Sequence, residues 1–277
     1  MGTVFESERV SAVVKCVMVF ILLVATQGCG TLPNGHGWGQ DVNFLPGWER
    51  VRDAAVGAAK APDVWLPTAA ALALQINDWD EEVSEWAVKS TPLFGDREDA
   101  DDASGYLRTA SQVAYVTTAL LTPSGDDNEK WAENKAKGFA VGLSAIGATY
   151  GMTEATKSIV DRTRPDGSDD RSFFSGHASN SAVTCKMAGR NIEYLAMPAW
   201  GKTAFKVGFS ALSFTAGWAR VEAAKHYPSD VLVGMAVGNF LGAFFNDAFL
   251  GIDPSDSKGV TIQPTEGGMM LGFNWSF

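Results

Sequence analysis

The sequence predicts an all-α fold, a helical bundle followed by a small C-terminal β-hairpin. Three observations lead to this class. Apolar residues recur at intervals of three to four positions in most segments between residues 49 and 163. Two polar loops end at residues that suit a helix start, Ser175 in one and Pro228 in the other. Only residues 260–277 change to the alternating pattern of β-strands.

Length and composition limit the kinds of fold and function that the chain can have. The chain has 277 residues, 46% of them hydrophobic, which is enough for one large domain with appendages. Its formal net charge is −10, so we expect no nucleic acid among its partners. None of the domain's apolar stretches reaches the ~20 uninterrupted residues of a membrane span. The sequence therefore favours a water-soluble bundle and leaves its oligomeric state open.

Residues 1–28 have the pattern of a signal peptide. Arg9 and Lys15 precede a short apolar run, residues 16–26, of the length expected for a signal sequence. The run ends just before Cys29 in a segment that resembles the cleavage box of bacterial lipoproteins. This resemblance implies a lipid anchor on Cys29 and, because glycine follows, a periplasm-facing location on the outer membrane. A cleaved signal without lipid and a retained anchor are the alternatives.

The rest of the chain divides into three further segments. Residues 29–48 are rich in glycine and aromatic residues, and we expect a lipid-attached tether or an arm that wraps the domain. Residues 49–252 form the helical domain. Within it, Asp96–Asp102 carries five acids and is predicted to be a solvated loop. Residues 258–277 form the hairpin, which we expect to cover the bundle.

The first candidate site lies between Lys157 and His177. On an α-helix, Lys157 and Arg164 would project from one face, roughly 10 Å apart, before Pro165 ends the helix. A second helix is predicted to begin after Ser175, its N-cap. Free N–H groups and the positive dipole end make a helix N-terminus a natural anion site. Two cations aimed at it indicate a phosphate or another tetrahedral oxyanion.

A second motif contributes Arg220, His226 and Asp230. Pro228 suits the first turn of a new helix, which places His226 at its mouth and Asp230 one turn inside. A carboxylate there can accept a hydrogen bond from one imidazole nitrogen and leave the other free to attack. Each residue alone has an ordinary structural explanation, such as an Arg220–Asp230 salt bridge; their joint order and spacing favour a site.

Taken together, the motifs K-x6-RP, SGH and R-x5-H-x3-D resemble the signature of the type 2 phosphatidic acid phosphatase and vanadium haloperoxidase superfamily. The resemblance covers about residues 110–250 and implies a helical bundle of the acid phosphatase and haloperoxidase type. Phe174 stands where that family usually has proline, and Ala219 where it usually has serine. Neither position is a primary catalytic group, so these departures bear on pocket shape and substrate choice.

The resemblance implies how phosphate would be held. Lys157, Arg164 and Arg220 would bind the non-bridging oxygens. Ser175 and the backbone N–H of Gly176 would assist. Pre-placed cations stabilise the charge of a transferring phosphoryl group, and the resemblance implies no metal and no cofactor.

The resemblance also implies the chemistry. His226 would be the nucleophile and form a phosphohistidine, with Asp230 orienting it. His177 would protonate the leaving oxygen and later activate water. The expected function is an exported phosphatase acting on phosphate monoesters or pyrophosphates of a lipid or a soluble molecule. A non-catalytic envelope lipoprotein with a decayed site and a vanadate-dependent haloperoxidase are the alternatives.

Overall fold

The computed structural model describes residues 31–32, 35–125, 128–251, 260–265 and 268–273. The predicted all-helical bundle is confirmed. The helices are α1 (Trp48–Lys60), α2 (Pro62–Ala73), α3 (Trp79–Ser90), α4 (Arg97–Leu121), α5 (Asn128–Val160), α6 (Gly176–Ile192), α7 (Ala199–Glu222) and α8 (Pro228–Phe245), and a π-helical turn, Asn246–Leu250, follows α8. The predicted signal segment and Cys29 lie outside the described residues.

Helix α6 forms the centre of the bundle and packs against α4, α5, α7 and α8. Its contact with α8 is close because glycines line the facing side of α8. A Cβ at Gly234 would lie 2.7 Å from the carbonyl oxygen of Ser175, and one at Gly238 would lie 2.2 Å from that of Ser179. Since no side chain fits at either position, the N-terminal halves of α6 and α8 pack closely together.

Residues 35–46 lie against the bundle as an arm. The Trp38 side chain is buried, and its indole N–H donates to Asn191 Oδ1 at 3.1 Å. Its ring packs edge-on against Phe139 at 5.9 Å between centroids. Burial of a tryptophan ring removes a large apolar area from water. Of the two possibilities for this segment, its described part therefore wraps the domain.

Two sequence-based expectations about helix ends are wrong. Asp96–Asp102 is not a solvated loop: Asp96 is the N-cap of α4, and its side chain accepts from Asp99 N at 2.8 Å. Acidic residues suit this position because the helix N-terminus is electropositive. Arg164 does not share a helix with Lys157, because α5 ends at Val160 and Asp161 turns left-handed, with φ +52°. Arg164 also precedes Pro165, and helical geometry is disfavoured for the residue before a proline.

The chain continues after the bundle with two antiparallel strands, β1 (Val260–Thr265) and β2 (Gly268–Phe273). Their register pairs Val260 with Phe273 and Thr265 with Gly268. That this hairpin covers the bundle stays a prediction.

One stretch within the described residues, Pro228–Leu250, is long and apolar enough to cross a membrane. This differs from the sequence-based expectation, which required an uninterrupted apolar run. In the fold, 56% of its most apolar window is buried. Burial of that extent is also typical of the core helix of a bundle, so composition alone does not assign it to a membrane.

Candidate active site

The two predicted motifs meet where three helix ends converge: the N-termini of α6 and α8 and the C-terminal turn of α7. A backbone hydrogen bond fastens two of these ends, because Ser175 N donates to the Asp230 carbonyl oxygen at 3.0 Å. Ser175 is the N-cap of α6, as predicted, and its Oγ accepts from Ala178 N at 3.4 Å. Pro228 is the first residue of α8, also as predicted.

His226 lies buried at the base of this junction. Its Nδ1 is 2.6 Å from the carbonyl oxygen of Ser172. Because a carbonyl can only accept, Nδ1 carries the hydrogen, and the lone pair of a neutral ring is on Nε2. Burial lowers the pKa of His226 well below 6.5, and three nearby cations, Arg220, Arg164 and Lys157, lower it further. The ring is therefore neutral, with Nε2 available as a nucleophile.

Asp230 does not make the predicted hydrogen bond to His226. Its Oδ2 is 3.9 Å from His226 Nδ1, too far for a hydrogen bond, because the Ser172 carbonyl takes that place. Oδ2 accepts instead from Ser172 Oγ at 2.5 Å and from Tyr227 N at 2.9 Å. Asp230 thus fixes the residue that holds His226, so any orienting effect reaches the imidazole through Ser172.

Lys157 lies in the last turn of α5, beside the start of α6. A Cβ at Gly176 would be 3.8 Å from Lys157 Nζ, so the ammonium stands next to the free N–H groups of that helix. Burial lowers the Lys157 pKa; Glu154, 3.9 Å away, opposes this effect, and Arg164 adds to it. The charge is thus partly desolvated and close to a second cation.

The two predicted arginines reach the same place from different elements. Arg164 lies in the loop before α6, where its Nε donates to Asp169 Oδ1 at 2.6 Å. Arg220 is buried at the end of α7, where Nη1 donates to Asp101 and, at 3.1 Å, to Ser104 Oγ. Its Nε is buried and has no hydrogen-bond partner among the described residues. A buried unsatisfied donor is costly, which suits a ligand oxygen.

His177 occupies the first turn of α6. Burial lowers its pKa to about 3, with further lowering by Arg220 and Arg108 and an opposing effect of Asp101. Without an anion in the site, the ring is therefore neutral at physiological pH. A bound phosphate would offset the field of the cations and raise this pKa.

Comparison with known proteins agrees with the geometry. Residues 138–250 match the family model of the PAP2 superfamily. Over these residues, about two fifths of the chain, the predicted superfamily resemblance is confirmed. This range holds every predicted phosphate-binding and catalytic residue and runs from the middle of α5 to the turn after α8.

The chain is similar to one curated protein in sequence and to one solved structure in fold. The chain is 35% identical over 103 residues to a lipid A 1-phosphatase of Porphyromonas gingivalis, a match that covers 37% of this chain and 21% of that protein. It therefore spans about a fifth of that relative's length. The fold resembles the crystal structure of a transmembrane PAP2 type phosphatidylglycerolphosphate phosphatase from Bacillus subtilis, with a TM-score of 0.50 and 19% identity. That match covers 70% of this chain and 94% of the other.

The structure adds a charge network around Asp230 that the sequence did not reveal. Arg162 Nη1 donates to Asp230 Oδ1 at 2.6 Å, and Nη2 donates to Asp80 Oδ2 at 2.8 Å. Asp80 also accepts from Ser229 N at 2.8 Å, which ties α3 to the start of α8. In the structure, Asp80 shares its buried face of α3 with Ser84, which is one helical turn further along.

A second group was also missed, on the side of α4 that faces α7. Asp101, Ser104 and Arg108 are spaced at three and four residues and lie on one face of α4. Asp101 and Ser104 hold Arg220. Arg108 contributes to the electrostatic field at both His177 and Arg220.

Proposed function

We propose that this protein is an exported phosphatase that hydrolyses phosphate monoesters or diphosphates, lipid-linked or soluble, through a phosphohistidine on His226. One observation carries the proposal: the Ser172 carbonyl fixes the hydrogen on Nδ1 of a buried imidazole, which leaves the lone pair on Nε2, and Arg220, Arg164 and Lys157 are near enough to lower the pKa of that ring. A neutral nucleophile beside pre-placed positive charge is what phosphoryl transfer requires.

The reaction would run in two displacements. Nε2 of His226 forms a bond to phosphorus, the bond from phosphorus to the leaving oxygen breaks, and its electron pair stays on that oxygen. Lys157, Arg164 and Arg220 would hold the remaining oxygens. Water then attacks the phosphohistidine, gives up a proton, and releases inorganic phosphate together with the regenerated imidazole. No step needs an oxidant, a reductant or a metal ion.

His177 would serve the proton transfers. In the empty site its pKa of about 3 leaves it without a proton to give. The substrate dianion raises that pKa on binding, so His177 would gain a proton with the substrate and pass it to the leaving oxygen. The same ring, neutral again, would take the proton from water in the second step.

Lipid phosphates are the first substrates to test. The names of the similar protein and of the similar structure, a lipid A 1-phosphatase and a phosphatidylglycerolphosphate phosphatase, both denote lipid substrates. A lipid anchor on Cys29 would hold the domain at a membrane surface, facing the periplasm from the outer membrane. Soluble phosphate esters are the alternative. Phe174 and Ala219, the two buried positions that depart from the family pattern, do not favour one substrate class over the other.

The test is a phosphate-release panel with phosphatidic acid, a prenyl diphosphate, a nucleotide and a sugar phosphate. His226→Ala should abolish release from every substrate, because no covalent intermediate can form. His36→Ala is the matched control, since that histidine lies in the arm and hydrogen-bonds Asp41. Activity that survives His226→Ala would refute the mechanism, and an inactive parent chain would favour a decayed site.

A further inference from the structure

Arg108 differs from the three predicted phosphate-binding cations in forming no ion pair with any acidic residue that the structure describes. Lys157 faces Glu154, Arg164 binds Asp169, and Arg220 binds Asp101. No such ion pair forms at Arg108 within the described part of the chain, and its Nε is buried without a hydrogen-bond partner there. An uncompensated buried donor on a guanidinium is expensive, so the position suits an anion that arrives with a ligand.

The position of Arg108 follows from the packing of α4 on α6. Gln112 Nε2 donates to Asn180 Oδ1 at 2.8 Å, which sets the two helices side by side at this level. Arg108 precedes Gln112 by four residues, and His177 precedes Asn180 by three. Further along, Asn191 Nδ2 donates to Thr118 Oγ1 at 3.3 Å, so the two helices run parallel. Arg108 and His177 therefore both lie about one helical turn, ~5 Å, nearer the N-terminus of α6. The effect of Arg108 on the pKa of His177 is consistent with this proximity.

The second part of the inference rests on the proposed function, in which His177 faces the leaving group. A cation beside His177 is then on the side of the bond that breaks, away from His226. It would stabilise negative charge on the departing molecule and contribute little to the phosphoryl group that is transferred. An alkoxide leaving group takes up a proton and departs neutral, whereas a phosphate leaving group stays anionic.

We propose that Arg108 binds the leaving group of a diphosphate substrate and makes this site selective for diphosphates over monophosphates. His226 Nε2 attacks the terminal phosphorus, the bridging oxygen keeps the electron pair, and a phosphate monoester leaves with its charge held by Arg108. A phosphate is a better leaving group than an alkoxide, so this reaction depends less on a proton from His177. Arg108 thus contacts substrate and acts as a specificity-determining residue.

The test compares kcat/KM for matched pairs that differ by one phosphate: farnesyl diphosphate with farnesyl monophosphate, and ADP with AMP. Arg108→Gln should lower kcat/KM for the preferred diphosphate by about 10- to 100-fold, the usual effect of losing a hydrogen bond to a charged group. The loss on its monophosphate should be several-fold smaller. Arg108→Lys should restore part of the selectivity, because it returns the charge without the guanidinium geometry.

Two controls separate this inference from the proposed function. Arg52→Gln removes an exposed arginine from α1, which packs at the far end of α8, and should leave the diphosphate-to-monophosphate ratio unchanged. If Arg108→Gln changes the ratio for the farnesyl pair, the substrate is a lipid; if it changes the ratio for ADP and AMP, the substrate is a nucleotide. Equal losses on both members of each pair, or none, would overturn the role of Arg108. If His226→Ala also loses all turnover, the proposed function stands even when the role of Arg108 is overturned.

A binding measurement covers the case in which Arg108→Gln is unstable or the chain turns over neither ester. Calorimetry on the unmodified chain should show methylenediphosphonate binding at least about tenfold more tightly than inorganic phosphate. Arg108→Lys should narrow that difference. Equal affinities for the two anions in the unmodified chain would overturn the inference without any measurement of activity.

Discussion

Asp230→Asn distinguishes indirect from direct orientation of His226. The carboxylate is fully buried and accepts three hydrogen bonds, from Arg162, Ser172 and Tyr227. An asparagine has the same shape but one acceptor oxygen, and it leaves Arg162 with a single carboxylate partner. Breaking a buried ion pair costs about 3–5 kcal/mol, and because Asp80 still binds Arg162 we expect the lower end, about 3 kcal/mol of unfolding free energy.

The effect on turnover should be comparatively small. His226 Nδ1 donates to the Ser172 carbonyl, so its tautomer does not depend on the charge of residue 230. We expect kcat to fall by about 10- to 100-fold, from looser positioning of Ser172. Where a buried carboxylate fixes the tautomer of a catalytic histidine directly, its amide variant loses about 10⁴-fold. The two arrangements therefore differ by two orders of magnitude or more.

The assay pairs urea unfolding with kcat on a chromogenic phosphate ester. Asp80→Asn is the matched control, because it breaks the other half of the Arg162 network without touching Ser172. It should destabilise the fold to a similar degree and lower kcat less. A 10⁴-fold loss in Asp230→Asn with unchanged stability would show that Asp230 acts on His226 directly and would refute the indirect arrangement.

Three further predictions concern the other groups. Arg164→Lys should lower kcat/KM by at least about tenfold, because an ammonium cannot bind two phosphate oxygens as a guanidinium fork does; activity within twofold of the parent would mean that Arg164 acts as a point charge. Nitrogen-15 NMR of the imidazoles should show His177 neutral at pH 5 in the empty site and more protonated once phosphate binds, since an anion raises its pKa; an unbound His177 that titrates near pH 6.5 would contradict this. Cys29→Ser should release the protein from membranes with its activity retained, and a variant that stays bound after carbonate washing would show that the domain itself is embedded.

Local helix signals were sufficient to predict the framework of the site. Ser175 and Pro228 begin their helices as expected, since capping and proline preferences act within a few residues. The left-handed turn at Asp161 was not predictable from spacing, and it places Arg164 in a loop. Seven-residue spacing alone therefore gave the right neighbours for Lys157 with the wrong geometry.

The sequence did not predict the interactions that site residues make with backbone groups or with residues of distant helices. The Ser172 carbonyl that holds His226 has no signature, because every residue has such an oxygen. The ion pair between Arg162 and Asp80 joins residues 82 positions apart and depends on where α3 packs. Arg108 became a candidate only when the packing of α4 on α6 placed it level with His177.

The most direct test of the phosphatase mechanism is to trap the covalent intermediate. The chain is mixed with substrate, quenched in alkali within milliseconds, digested, and examined by mass spectrometry for a phosphoryl group on the peptide that contains His226. Phosphohistidine should be stable in alkali, decay in acid, and form at a rate no slower than turnover. A phosphoryl group on another residue, or turnover with no phosphorylated His226 at any time, would contradict the mechanism.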